Sequence, residues 1–281
     1  MTDYLLANSV DEALAALDAG PRCILAGGTD FYPALGNRPI GEDILDVSAL
    51  GDLRGVEESD GYWRFGALTT WTDVIAAALP PAFDGLKLAA REVGSVQIQN
   101  AGTIAGNLCN ASPAADGVPP LLTLEAEVEL RCAGKTRLVP LETFITGVRE
   151  TARRDDELVT AVLVPGYAAE GRGGFLKLGA RTYLVISIVM AAARIELDEE
   201  NRIACARLAV GACSPVAARL RPLEAALVGE TAGPGLIDIV SADFLSSLSP
   251  IDDVRGSADY RLEAAVTVVR RTLAQTVGLP S

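Results

Sequence analysis

The chain has 281 residues, 49% of them apolar, and carries 24 Lys plus Arg against 37 Asp plus Glu, a formal charge of −13. That length allows two domains with real cores, while the acidic balance speaks against nucleic acid, which is bound through basic patches, and against an anionic membrane surface. Histidine is absent, which excludes Ser-His-Asp and Cys-His catalysis and His-ligated metals, so any chemistry is expected to be carried by a bound group.

The first element expected is a helix over 10–17, capped by Ser9 with Glu12 in capping-box position and ended by Gly20-Pro21. A strand over 22–26 then runs into a tight turn at 27–30 and the segment 31–35. Strands follow at 44–47 and 62–66, the latter with Trp63 and Phe65 on one face. Helices are expected over 72–78, stopped by Pro80-Pro81, and over 86–93. Residues 94–120, GSVQIQNAGTIAGNLCNASPAADGVPP, are small, polar and almost uncharged. They are too glycine-rich for a helix interior and too polar for a core strand, so a backbone lying flat against a ligand is expected. Alternating residues at 126–132 predict a half-buried strand paired across Gly134 with 136–140, and another strand covers 157–165. Residues 166–174 form a loop and the expected domain boundary. Beyond it come strands over 175–180, 187–197 and 203–212, then helices over 219–227 and 260–274. The division expected is 1–168, in subdomains of roughly 1–55 and 56–168, followed by 174–277.

Five cysteines, at 23, 109, 132, 205 and 213, form no C-x-x-C pair, so neither a disulfide framework nor a zinc or iron–sulfur site is expected. No stretch approaches ~18 apolar residues, the length of a membrane span. The acidic start MTDYLLANSVDEALAAL is unlike a secretory signal, and a cytoplasmic location is expected.

Two segments carry the chemistry. Leu25-Ala26-Gly27-Gly28-Thr29-Asp30 is the end of a strand entering a double glycine and a hydroxyl. It reads as a phosphate cradle or as an ordinary turn needing positive φ, the commoner use of so short a motif. Gly102-Thr103-Ile104-Ala105-Gly106-Asn107 reads as a second cradle facing the same phosphates, with Ser112 and Asp116 within reach of a ribose or adenine edge. A self-satisfied polar loop is the alternative. No G-x-G-x-x-G and no P-loop are present. Lys177 and Arg181 could place charge beside an anionic ring, but by spacing alone they read as side chains snorkelling at a strand end. Asp155, Asp156 and Glu157 read as a solvated acidic turn, and Trp63, Phe65 and Trp71 as core.

At these residues the chain resembles the FAD-binding (medium) subunit of the molybdenum hydroxylases, the xanthine dehydrogenase and carbon monoxide dehydrogenase group. Residues 26–30 resemble its first flavin motif, and 97–100, 103–107 and 111–116 its second. Residues 158–165, Phe175-Leu176-Lys177 and Asp259-Tyr260-Arg261 follow in the family's order. The resemblance implies an α+β fold of the vanillyl-alcohol-oxidase type, with two subdomains gripping non-covalent FAD and a small C-terminal α+β domain. It implies pyrophosphate at 26–30 and 103–107, the adenosine sugar at Asp116, and Val159 and Lys177 near the flavin. It also implies a large molybdenum-cofactor subunit and a small [2Fe-2S] subunit as partners, in a heterotrimer or a dimer of heterotrimers. Electrons would pass from the clusters through FAD to an external acceptor, with no catalytic acid or base in this chain. A self-contained FAD-dependent oxidase or reductase is the alternative, and a scaffold with a decayed flavin site a third reading. Gln99 stands where the family has Arg, and Ala105 where it has a second Gly, the latter acceptable only if its φ stays negative.

Overall fold

The computed structural model describes residues 2–182 and 184–279. The fold is α+β, built on three main sheets. A three-stranded parallel sheet places Ile44–Asp46 between Tyr4–Leu6 and Cys23–Leu25. The helix Val10–Ala19 provides the crossover between the two outer strands, as parallel pairing requires. Ser9 caps that helix by accepting from the Glu12 N–H at 3.1 Å, while the Glu12 carboxylate takes the N–H of Asn8.

The second sheet is antiparallel, with the order Val56–Ser59, Tyr62–Gly66, Leu158–Pro165, Glu127–Cys132, Lys135–Pro140. Its middle strand is buried along its whole length. Phe65, Phe83, Leu86, Ile104, Leu108, Leu121 and Phe144 form the core around it. A hairpin of Ile145–Gly147 and Glu150–Thr151 stands apart as its own two-stranded pair.

The third sheet runs Arg172–Leu178, Val189–Leu197, Ile203–Gly211, Ala218–Arg219, all antiparallel. The long helix Ala258–Thr276 covers it, and Val189, Ile195, Leu208, Leu223, Val269 and Leu273 share a separate core. Glu125, in the left-handed region at φ 51°, meets Arg207 at 3.1 Å and Arg219 at 3.2 Å. It thereby ties the turn after the helix Val118–Thr123 to the third sheet.

Three expectations are corrected here. The run 94–120 does not lie flat but folds into three short helices, Val96–Ala101, Ile104–Asn110 and Val118–Thr123. Its glycines fall mostly at helix ends, and Ser95 and Thr103 supply N-caps to the N–H groups of Ile98 and Gly106. Second, the expected loop 166–174 is already strand from Arg172. A Cβ on Gly173 would lie 2.2 Å from the Ala82 carbonyl oxygen, so glycine is kept there for close packing rather than for a turn. Third, Glu157 is buried rather than solvated.

Glu157 accepts from Arg137 Nε at 2.6 Å, Arg137 Nη2 at 2.8 Å and the Arg154 N–H at 2.8 Å. The Arg137 hydrogen bonds hold its carboxyl below the usual value of 4.5. A depressed folded-state value stabilises the protein above 4.5, and that contribution is lost as pH falls through the lowered value. Glu157→Gln is therefore expected to cost about 2 kcal/mol at pH 7 and to flatten the acid limb of stability. Urea unfolding between pH 7 and 3 checks both, and a variant with the wild-type acid limb refutes the assignment.

Candidate functional site

The first segment leaves the carboxyl end of a parallel strand, where ligands commonly bind in α/β sheets. Leu25 is buried, and its carbonyl accepts from the Val47 N–H at 2.9 Å. The chain then turns at Gly28, whose φ of 67° is left-handed, and enters the helix Phe31–Leu35. Carbonyls of this turn are used, with Gly28 accepting from Tyr32 and Asp30 from Ala34. Its donors are not. The N–H groups of Gly27, Gly28, Thr29 and Asp30 find no acceptor among the described residues.

The second segment packs directly onto the first. A Cβ built on Gly27 would lie 1.8 Å from the Ala101 carbonyl oxygen, and one on Gly102 would lie 3.4 Å from Thr29 Oγ1. The two backbones thus touch, and residues 67–71 hold the second from behind. Trp71 N–H donates to Gly102 O, Ile104 N–H to Thr69 O and Ala105 N–H to Ala67 O. Trp71 is fully buried there, as its reading as core expects.

The second segment differs from the expected N–H cradle. Its amides at Gly102, Ile104, Ala105, Gly106 and Asn107 all bond within the chain. What remains is side chain. Asn107 Oδ1 is buried with no hydrogen-bond partner. Ser112 turns its hydroxyl to the Ala114 N–H. Ala105 is helical, so its methyl group is accommodated without a left-handed φ. The Gln99 side chain is buried and donates to the Arg91 carbonyl at 3.0 Å, at the end of the helix Asp84–Glu92.

A third group lies between the halves of the chain. Lys177 Nζ meets Asp116 Oδ2 at 2.7 Å, and Ser187 Oγ donates to Asp116 Oδ1 at 2.8 Å. All three are almost fully buried, beside a hollow of about 370 Å³ that Lys177, Glu92 and Arg181 help to line. Burial pushes the Asp116 carboxyl above the usual range, and Lys177 and Ser187 offset that only in part. The pair places Asp116 and Lys177 at one point. Val159 is buried in the first core, next to a bulge in the central strand.

The sequence reading missed two residues. Ser187 completes the Asp116 site. Arg149, in the turn of the small hairpin, bonds both Asp30 and Asn110. No local pattern marks either.

The residues present suit FAD. Four consecutive free N–H donors fit a pyrophosphate, and the unpartnered buried amide oxygen of Asn107 can accept from a hydroxyl or amino group. Among the described residues no helix is long and apolar enough to cross a membrane.

Comparison with known proteins agrees with this geometry. Residues 1–167 match the family described as the FAD binding domain in molybdopterin dehydrogenase, and residues 175–276 the CO dehydrogenase flavoprotein C-terminal domain. The chain is 29% identical to a putative xanthine dehydrogenase FAD-binding subunit of Escherichia coli K12, over 98% of this chain and 95% of that one. It is 31% identical to the 6-hydroxypseudooxynicotine dehydrogenase complex subunit alpha of Paenarthrobacter nicotinovorans, over 98% and 94%. The structure superposes on carbon monoxide dehydrogenase of Hydrogenophaga pseudoflava with a TM-score of 0.88 at 27% identity, covering 99% and 97% of the two chains. The chain belongs to the family of FAD-binding medium subunits of molybdenum hydroxylases of the xanthine and carbon monoxide dehydrogenase type.

Proposed function

We infer that this chain binds FAD non-covalently and acts as the electron-transfer subunit of a molybdenum-containing hydroxylase or dehydrogenase. The observation that carries the reading is the run of free N–H groups at 27–30, closed against residues 101–102. When bound, the flavin supplies storage for two electrons that arrive singly and leave to an acceptor.

The chain's own residues bind and orient. Leu25 and Ala26 lead the strand into the loop, and Gly27, Gly28, Thr29 and Asp30 offer donors to the pyrophosphate. Gly102, Thr103, Ala105 and Gly106 form the opposing wall, where Asn107 and Ser112 add polar side chains. Asp116 and Lys177 act as one polar pair at a single position on the cofactor, and Val159 lends apolar surface. In this reading residues 1–168 grip the cofactor and 174–277 close over it. No residue of the chain serves as a catalytic acid, base or nucleophile.

A large subunit with the molybdenum cofactor and a small subunit with [2Fe-2S] clusters are the partners, in a heterotrimer or a dimer of heterotrimers in the cytoplasm. Relatives named as subunits or medium chains of dehydrogenases support this. The test is the visible spectrum of the purified chain, with chromatography of the cofactor released on denaturation. One FAD per chain is expected, together with copurifying molybdenum and iron when the chain is tagged in its host. A chain that stays colourless after incubation with FAD overturns the reading. A chain that purifies alone and turns over a substrate by itself favours the self-contained oxidase.

A further inference from the structure

We propose that Arg149, which lies outside both glycine-rich segments, is a positioning residue of the flavin site that neutralises Asp30 and pins the loop 26–30 to the helix Ile104–Asn110. The inference rests on the FAD reading above. Arg149 sits in the turn between Ile145–Gly147 and Glu150–Thr151. Its φ of 63° is left-handed, a conformation that costs a residue with a side chain about 1–2 kcal/mol. Its N–H donates at 2.9 Å to the carbonyl of Ala111, itself left-handed at φ 45°. Two strained residues thus hold the hairpin turn against the end of the Ile104–Asn110 helix, which aims the Arg149 side chain.

That side chain joins the two segments. Arg149 Nη1 donates to Asp30 Oδ2 at 2.9 Å, to the Asn110 carbonyl at 3.2 Å and to Asn110 Oδ1. Asp30 closes the run of free N–H groups. A bare carboxylate there opposes a doubly charged pyrophosphate, which makes it an odd residue at an anion site. The Arg149 guanidinium cancels that charge and fixes the loop that carries the donors. Both Asp30 and Arg149 are about half exposed, at 51% and 52%, so their pairing adds little to the stability of the FAD-free chain. Ligand affinity and fold stability should therefore separate.

The experiment measures the FAD dissociation constant of the full chain by flavin fluorescence, for wild type, Arg149→Gln, Arg149→Lys, Asp30→Asn and the double variant Arg149→Gln with Asp30→Asn. Thermal midpoints of the FAD-free proteins are measured alongside. Arg149→Gln is expected to weaken FAD binding about tenfold with an unchanged midpoint. Arg149→Lys should fall between it and the wild type. Asp30→Asn should bind at least as tightly as the wild type, and the double variant should recover most of the lost affinity, because the charge needing neutralisation is gone. Wild-type affinity in Arg149→Gln overturns the proposal. So does a double variant as weak as Arg149→Gln, or a loss of affinity that tracks a fall in midpoint. A wild-type chain that takes up no FAD overturns the flavin reading and this proposal together, whereas tight wild-type binding with an indifferent Arg149 overturns this proposal alone.

Discussion

Gly27→Val is expected to abolish FAD retention and to destabilise the chain by about 3 kcal/mol, the upper end of ordinary overpacking costs. The reason is the junction between the two segments. The new Cβ would lie 1.8 Å from the Ala101 carbonyl oxygen and 2.6 Å from its carbonyl carbon. Those are backbone atoms that cannot rotate away. Gly102 next to them donates to Ile98 O at 2.6 Å and accepts from the Trp71 N–H at 3.2 Å, so the neighbour is held on both sides. Separation of the segments then opens the site that both build.

Gly28→Val makes an informative comparison. Its Cβ would meet the Tyr32 ring at 2.8 Å, but Tyr32 is 58% exposed and free to swing out. The main penalty is the left-handed φ of 67°, about 1–2 kcal/mol for a residue with a side chain. Gly28→Val should thus keep its fold and lose flavin, while Gly27→Val loses both. The ratio of visible to ultraviolet absorbance after purification, with urea unfolding of the apo chains, reads the two effects. A Gly27→Val protein with a full complement of FAD and the wild-type urea midpoint would disprove the backbone-to-backbone junction.

Lys177→Met carries the second large effect, an expected loss of about 3–5 kcal/mol, the usual result of stranding one member of a buried ion pair. Asp116 would keep the Ser187 hydroxyl and lose the ammonium that offsets its burial. The pH dependence has a defined sign. Burial raises the Asp116 carboxyl above its ordinary 3.8, with the Glu92 charge adding to the push. The folded state then holds this proton more tightly than the unfolded one, so this site's contribution to stability declines as pH rises from 3.8 through the raised value. Removing Lys177 should carry the decline to higher pH. Adding Asp116→Asn removes the charge while keeping an acceptor for Ser187, and should restore most of the loss. Urea midpoints at pH 5, 6, 7 and 8 for the wild type and the two variants test this. A Lys177→Met protein as stable as wild type at pH 8 rules out the stranded carboxylate.

Much of this protein was legible before its fold. Strands at 62–66 and 127–132, the Ser9 cap and the helix at its carboxyl side follow from alternation, capping chemistry and apolar spacing, all set by residues within a few positions of one another. The glycine-rich segments were equally visible, since a double glycine after a strand and a Thr-Ile-Ala-Gly-Asn run are local patterns. Their internal form was not. Read by composition, 94–120 looked unlike helix, yet placing glycines at helix ends and Ser95 and Thr103 at caps makes three short helices from it. The same limit applied to 172–174, where glycines normally taken for a loop are strand residues crowded by the Ala82 carbonyl and Thr276.

By itself, then, the sequence determined that the chain has no histidine chemistry, that two glycine-rich segments are its candidate binding elements, and which family it resembles. Each rests on residue identity and short-range order. Tertiary structure alone decided which donors are free, because only the folded chain reveals that Thr69 and Ala67 take the amides of Ile104 and Ala105, and local acceptors those of Gly102, Gly106 and Asn107, while those of the first segment stay open. It also decided the charges. Asp30 meets Arg149 across 119 positions, Asp116 meets Lys177 across 61, and Glu157 meets Arg137 across 20. A carboxylate's environment is set by what packs against it rather than by its sequence neighbours, so Glu157 read as solvated and Lys177 as snorkelling at a strand end until the sheets brought their partners to them.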